Sequence, residues 1–265
     1  MFSTHLPSNV GRCIYNKRGV KIYLSNDERY VYKFSSSDIS REYQMMNFAQ
    51  SSYTVPAIDY NETDYWKYII MPAYLDGDAF TLIEKGENNE QMIKQIIYDV
   101  IKGLAHLESE HIIHHDIKPE NVFLYKIGKT THAIIGDFEY AERVGEPNTE
   151  IGGSFLYAAP EILSGAPYSY KSDMWSVGVS MAVLLTHSVP FDGTRKKQIL
   201  QEIFRKRIIL PLEFSEEAQD FLDLLLCIDP NDRISAAEAL QNPWFNDIEQ
   251  LNDIQCDDID IQSNN

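Results

Sequence analysis

The chain has 265 residues, 44% of them hydrophobic, and a formal net charge of -17. That length and apolar content allow one large domain or two small lobes around a packed core. The negative field repels phosphate backbones and anionic bilayers, so neither nucleic acid nor membrane is expected as partner; it would attract a basic peptide or protein, or serve solubility alone.

In chain order, the opening "MFSTHLPSNVGR" lacks the apolar run of a signal peptide. The stretches "CIYNKRGVKIYL", "RYVYKFS" and "YWKYIIMP" alternate aromatic or β-branched residues with polar ones, the period of strands. Between the last two, "SSSDISREYQMMNFAQ" sets Ile39, Tyr43 and Met46 at helical spacing behind a Ser/Asp cluster, predicting a capped amphipathic helix. After "YLDGDA" the character changes. Met92, Ile96, Ile97, Val100 and Leu104 form one stripe of a long predicted helix. "NVFLY" and "HAIIGDF", joined by "KIGKTT", read as a hairpin. Helical patterns follow from Tyr170, and the apolar run Met174 to Leu185 is too short to span a bilayer. The acidic close "NDIEQLNDIQCDDIDIQSNN" reads as a disordered tail. Cys13, Cys227 and Cys256 form no paired motif, which points to a reducing compartment, the cytoplasm, with the nucleus left open. The resulting division is a strand-rich lobe over 1–73, a helix-rich lobe over 74–247 and a tail over 248–265. The seam lies near Met71 to Asp78, where ligand sites between lobes tend to sit.

Chemistry concentrates in "HIIHHDIKPENVFLY", His111 to Tyr125. A zinc site on His111, His114 and His115 lacks a fourth ligand on a defined scaffold. A solvated loop conflicts with the apolar runs on both sides. The spacing of Asp116, Lys118 and Asn121, with Asp137 ending the next apolar run, delivers two carboxylates, an ammonium and a carboxamide at strand ends. Phosphoryl transfer asks for that set: a base to orient a hydroxyl, a cation for the moving phosphoryl group, and oxygens for magnesium.

These residues resemble the signature set of the eukaryotic protein kinases. "HHDIKPEN" is similar to the catalytic loop, "GDFE" to the metal-binding D-F-G and "YAAPE" to the A-P-E. "RYVYKF" places Lys33 at the third-strand lysine, and Glu42 falls where the family has its lysine-pairing glutamate. The resemblance covers about residues 10 to 247. It implies an α+β bilobal kinase fold, with a small β-rich lobe carrying one key helix and a larger helical lobe. The implied activity is transfer of the ATP γ-phosphate to serine or threonine, since "DIKPEN" and "GGSFLYAAPE" resemble the serine/threonine type. The implied cofactors are ATP and Mg2+. Asp116 would orient or take the hydroxyl proton and Lys118 would touch the γ-phosphate. Lys33, held by Glu42, would hold the α- and β-phosphates, and Asn121 and Asp137 would bind magnesium. Val20, Val31 and Phe123 would enclose the adenine, Met71 would back the pocket, and Ala73 and Tyr74 would offer hinge hydrogen bonds. Ser154 would line the acceptor site, Asp173 would lie behind the catalytic loop, and Arg233 would pair with Glu161. Glu120 would favour a basic residue before the acceptor.

Three departures stand out. The glycine-rich loop is eroded, with Gly11 and Gly19 too far apart. Backbone approach to phosphates is then weakened, or replaced by side chains such as Lys17 and Arg18. Glu139 replaces the D-F-G glycine and should restrict the segment that follows. His115 replaces the arginine that grips a phosphorylated activation segment; a histidine with pKa about 6.5 is mostly neutral at pH 7. Activity independent of phosphorylation at Thr149 is therefore expected, checked by Thr149→Ala. A pseudokinase scaffold remains an alternative because of the eroded loop. A small-molecule kinase fits less well, because such enzymes generally lack the A-P-E segment and its arginine.

Overall fold

The computed structural model describes residues 7–17, 19–86, 89–146 and 153–248. The stretch read as a tail, from Glu249 onward, and Thr149 lie outside the described residues, as does Arg18.

The first part is a five-stranded antiparallel sheet. It consists of β1 (Val10–Lys17), β2 (Val20–Ser25), β3 (Tyr30–Ser35), β4 (Asp59–Glu62) and β5 (Lys67–Pro72), in the order β1-β2-β3-β5-β4. The two-residue period of β3 sorts its side chains. Tyr32 and Phe34 join Tyr68 in an aromatic cluster, with Phe34 and Tyr68 ring centroids 4.8 Å apart. Lys33, between them in sequence, points to the other face. There it meets helix α1 (Ser40–Phe48), whose Glu42, Met45 and Met46 are buried. The capped start expected for α1 is corrected. Ile39 occupies the N-cap position without a side-chain cap, and Asp38 accepts from the Ser40 N–H one residue early, in an Asx turn.

The second part is built on α3 (Glu90–Ser109), reached through the short α2 (Ala79–Lys85). Asn89 caps α3 by accepting from the Met92 N–H at 2.9 Å. Its buried face, Ile93, Ile96, Ile97, Val100, Ile101, Leu104 and Leu107, packs on the hairpin and on a second long helix. After β6 (Ile112–Ile113), the hairpin of β7 (Val122–Ile127) and β8 (Thr130–Ile135) closes tightly, with Ile127 opposite Thr130 and Gly128 at φ 60°. β9 (Glu142–Arg143) pairs with β6. α4 (Pro160–Leu163) precedes α5 (Tyr170–Thr186), which is buried on nearly all sides. The run Met174 to Leu185 is thus a core helix, and among the described residues no helix is long and apolar enough to cross a membrane. α6 (Lys196–Arg205), α7 (Glu216–Leu225) and α8 (Ala236–Ala239) complete the helical part. Tyr74 to Asp78 runs between the parts and is tied to β7 by the Leu124 N–H donating to the Gly77 carbonyl at 2.8 Å.

Candidate active site

The loop after β6 is held from beneath by the first turn of α5. Asp173, buried, accepts the His114 N–H at 2.8 Å and the His115 N–H at 3.0 Å. Burial pushes its carboxyl up to about 7, and those two N–H donors work against that. The loop so anchored turns through His115 at φ 71°, a left-handed conformation. His114 is fully buried between the site and the core. Its Nε2 donates to the Gly136 carbonyl at 3.1 Å, and its Nδ1 accepts from the Asp116 N–H at 3.4 Å. With both nitrogens committed to backbone and the His115 ring turned elsewhere, the histidines do not converge on a metal.

Asp116 collects three neighbours. Lys118 Nζ lies 2.6 Å from Oδ2, Asn121 Nδ2 donates to the same oxygen at 2.9 Å, and the Ser154 N–H donates to Oδ1 at 2.9 Å. Lys118 also donates to Ser154 Oγ at 3.0 Å. Asn121 donates again to the Asp116 carbonyl at 2.8 Å, so its amide nitrogen is fully oriented and Oδ1 is left as an acceptor. Gly153 makes this packing possible. It sits at φ +97°, and a Cβ there would come within 2.8 Å of the His115 carbonyl.

Across the site, Lys33 Nζ lies 2.7 Å from Glu42 Oε1 and 2.9 Å from Asp137 Oδ1. Burial alone would lower the lysine pKa, but Glu42 and Asp137 more than offset it and hold Lys33 charged. Burial likewise works against the Asp137 carboxylate, and Lys33 lowers its pKa overall. Asp137 adopts φ 60°, and Phe138, fully buried, sets its ring edge-on to His114 at 5.0 Å. Glu139 is exposed. Gly136 has a role the sequence reading missed. A Cβ there would lie 2.4 Å from the Phe123 ring, so a side chain at this position would displace the ring of Phe123 on β7.

Two of the residues read for the nucleotide are corrected by the backbone. Strand register puts Ile22 opposite Lys33 and Leu24 opposite Val31, whereas Val20 lies opposite Ser35, nearer the β1–β2 turn. Ile22 is therefore the β2 side chain beside Lys33; counting back across the turn at Asn26 to Arg29 would have found it. The Ala73 N–H donates to the Arg29 carbonyl at 3.0 Å, so of its two backbone groups only the carbonyl is left for a hinge hydrogen bond. Val31 stands opposite Met71, and Tyr74 stacks on Phe123 at 6.2 Å with planes 5° apart.

Two further groupings come from distant parts of the chain. Arg233 pairs bidentately with Glu161, at 2.7 and 3.0 Å, and donates to the Lys171 and Cys227 carbonyls. The His115 ring stacks on Tyr168 at 3.8 Å, with Nε2 3.1 Å from Glu142 Oε1. Its side chain is fully buried, and burial pushes its pKa down to about 3.

Comparison with known proteins agrees with this arrangement. The protein kinase domain family matches residues 10–245. The chain is 32% identical over 217 residues to the SNF1-related protein kinase catalytic subunit alpha KIN12 of Arabidopsis thaliana, covering 78% of this chain and 42% of that one. It is 33% identical over 212 residues to a serine/threonine-protein kinase H1 homolog of Pinctada fucata, covering 77% and 51%. It is 32% identical over 246 residues to the serine/threonine-protein kinase cds1 of Schizosaccharomyces pombe, covering 88% and 52%. The chain thus spans about half the length of these curated relatives. From Val10 to Phe245, it belongs to the protein kinase family.

Proposed function

We propose that this chain transfers the γ-phosphoryl group of ATP, bound with Mg2+, to serine or threonine hydroxyls of a protein substrate. The observation that carries this reading is the cluster at Asp116, where Lys118, Asn121 and Ser154 all converge on one carboxylate. The acceptor hydroxyl sits against Asp116, which orients it and takes its proton. Lys118, already between Asp116 and Ser154, neutralises charge on the moving phosphoryl group. Lys33, fixed by Glu42, holds the α- and β-phosphates. Magnesium, when bound, draws charge from the phosphates and keeps them in line. Its protein ligands are Asn121 Oδ1 and the Asp137 carboxylate, a small oxygen set suited to a cation that takes its other ligands from phosphate and water. Ile22, Val31, Phe123 and Met71 enclose the adenine, with Tyr74 at the hinge.

Serine/threonine specificity is supported by the relatives, two of which are serine/threonine-protein kinases, and by Ser154 at the acceptor site. Glu120, exposed beside the catalytic loop, favours a basic residue near the acceptor; equal turnover of basic and neutral peptides would remove that preference. We place the activity in the cytoplasm, with the free thiols of Cys13 and Cys227 as support; fractionation with a secretory pathway would overturn it.

The test is phosphate transfer from Mg-ATP to a serine/threonine peptide library. Asp116→Asn should lower kcat by about 10^2 to 10^4 while keeping nucleotide affinity. Magnesium-dependent nucleotide binding without any transfer by the parent chain would favour the scaffold reading instead.

A further inference from the structure

The chain is acidic, with 40 Asp and Glu against 23 Lys and Arg, yet among the described residues a set of cations on and beside α6 stands without carboxylate partners. Among the described residues, Lys206 pairs with Glu202 and Arg207 with Asp223. Arg195, Lys196, Lys197 and Arg205, on and beside α6, are in no such pair, although acidic residues are plentiful. Local folding does not account for three of them. Arg195, Lys196 and Lys197 occupy the N-cap and first turn of α6, where positive charge opposes the helix dipole and costs stability.

Their position relative to the acceptor site does account for them. The Ser154 N–H is fixed on Asp116 at 2.9 Å, and Ser154 Oγ accepts from Lys118. The next residue, Phe155, is 47% exposed, and Lys196 Nζ lies 4.6 Å from the centre of its ring. A large apolar side chain left open beside the catalytic carboxylate, with an ammonium seated on it, is a surface for a bound segment. A substrate whose hydroxyl reaches Asp116 must lay its adjoining residues over Phe155 on one side. There they meet Lys196, with Arg195 and Lys197 next to it.

We propose that the chain selects acceptor segments with an acidic side chain on the Phe155 side, and that Lys196 is the specificity-determining residue, aided by Arg195 and Lys197. This rests on the kinase reading above and sharpens its substrate. The acceptor site is bipolar, with exposed Glu120 near the catalytic loop and the cations of α6 beyond Phe155. The net charge of -17 favours basic proteins at long range, whereas contact selection on this side runs the other way.

The experiment compares serine peptides that differ only by Asp, Ala or Lys at each of the positions flanking the acceptor. For the parent chain, Asp on one flank should raise kcat/KM over Ala about fivefold, through KM and not kcat, with Lys lowering it. That ratio should approach one in about 0.5 M salt. In Lys196→Glu it should fall to one or below, and in Lys196→Gln/Lys197→Gln it should fall most of the way. Glutamate suits the first turn of a helix, so folding is not put at risk, and each ratio is taken within one protein. Lys129→Glu, on the distant β7–β8 turn, changes net charge equally and should leave the ratio alone. Equal turnover of the Asp and Ala peptides on both flanks, or the same shift from Lys129→Glu, overturns the proposal while the kinase reading stands. No transfer to any peptide overturns both.

Discussion

The loop around Asp116 and the β1–β2 hairpin meet the same nucleotide in the proposed reaction, and they are built in opposite ways. Asp116 is buried, its neighbours are polar, and each is tied down by a second contact: Asp173 under the loop, Ser154 above it, Asn121 beside it. The hairpin is the reverse. From Arg12 to Lys17 β1 is exposed, including Ile14 and Tyr15, and Gly19 serves its own turn at φ +83°, where a Cβ would lie 2.6 Å from Ser36 Oγ. The difference has a physical basis. Proton and phosphoryl transfer need polar atoms held at fixed positions, which requires burial and supporting hydrogen bonds. Grip on a triphosphate can come from any nearby donors or cations, so the hairpin tolerates loss of its glycines.

The comparison can be broken or sharpened at three places. The largest effect is expected at Lys33. Lys33→Met leaves Glu42 and Asp137 without their shared cation, so unfolding should become easier by about 3–5 kcal/mol, and transfer should be lost. Denaturant melts check this, and an unchanged midpoint would mean that the buried ion set is no fixed part of the site.

The second place is His115. Its folded pKa of about 3 lies below the ordinary value near 6.5. Below pH 6.5 the unfolded chain takes up a proton that the folded chain refuses. This contribution to stability is therefore full above pH 6.5 and lost as pH falls toward 3. His115→Phe keeps an aromatic ring for Tyr168 and has no proton to gain. Between about pH 6 and 4 the parent should lose about 1.4 kcal/mol per pH unit more than the variant. Asp173, raised to about 7, works in the opposite direction. It takes up its proton in the folded state first and gains stability as pH falls through 7, in both proteins, so it drops out of the difference. Parallel pH curves would show that the Glu142 carboxylate beside the ring offsets its burial.

The smallest effect is expected on the hairpin. Lys17→Ala should raise KM for ATP about threefold with kcat nearly constant, as for a single exposed charge. No change in steady-state KM at low salt would show that the hairpin makes no side-chain contribution, which would widen the contrast with the Asp116 loop.

Much of the site was legible in the sequence because its residues are close in the chain. Alternation of Tyr32, Lys33 and Phe34 on a strand sends Lys33 away from the aromatic cluster. Asp116, Lys118 and Asn121 share one loop, and the apolar period of α3 marks the wall behind it. Ile22 was misplaced as Val20 because a hairpin register depends on where its turn falls, and a shift along the strand is invisible to alternation. The direction of the Ala73 N–H depends on Arg29, on the far side of β5 in the chain.

By itself, then, the sequence determined the elements and the identity of the polar groups, which follow from periodicity and local spacing, and its motifs carried the resemblance to the family. Only the tertiary structure decided which groups meet. It buried His115 against Tyr168, placed Ile22 beside Lys33, and set Lys196 over Phe155 beside the acceptor site. Those contacts join residues separated in the chain, and burial, strand register and the packing of whole helices, which no local pattern encodes, bring them together.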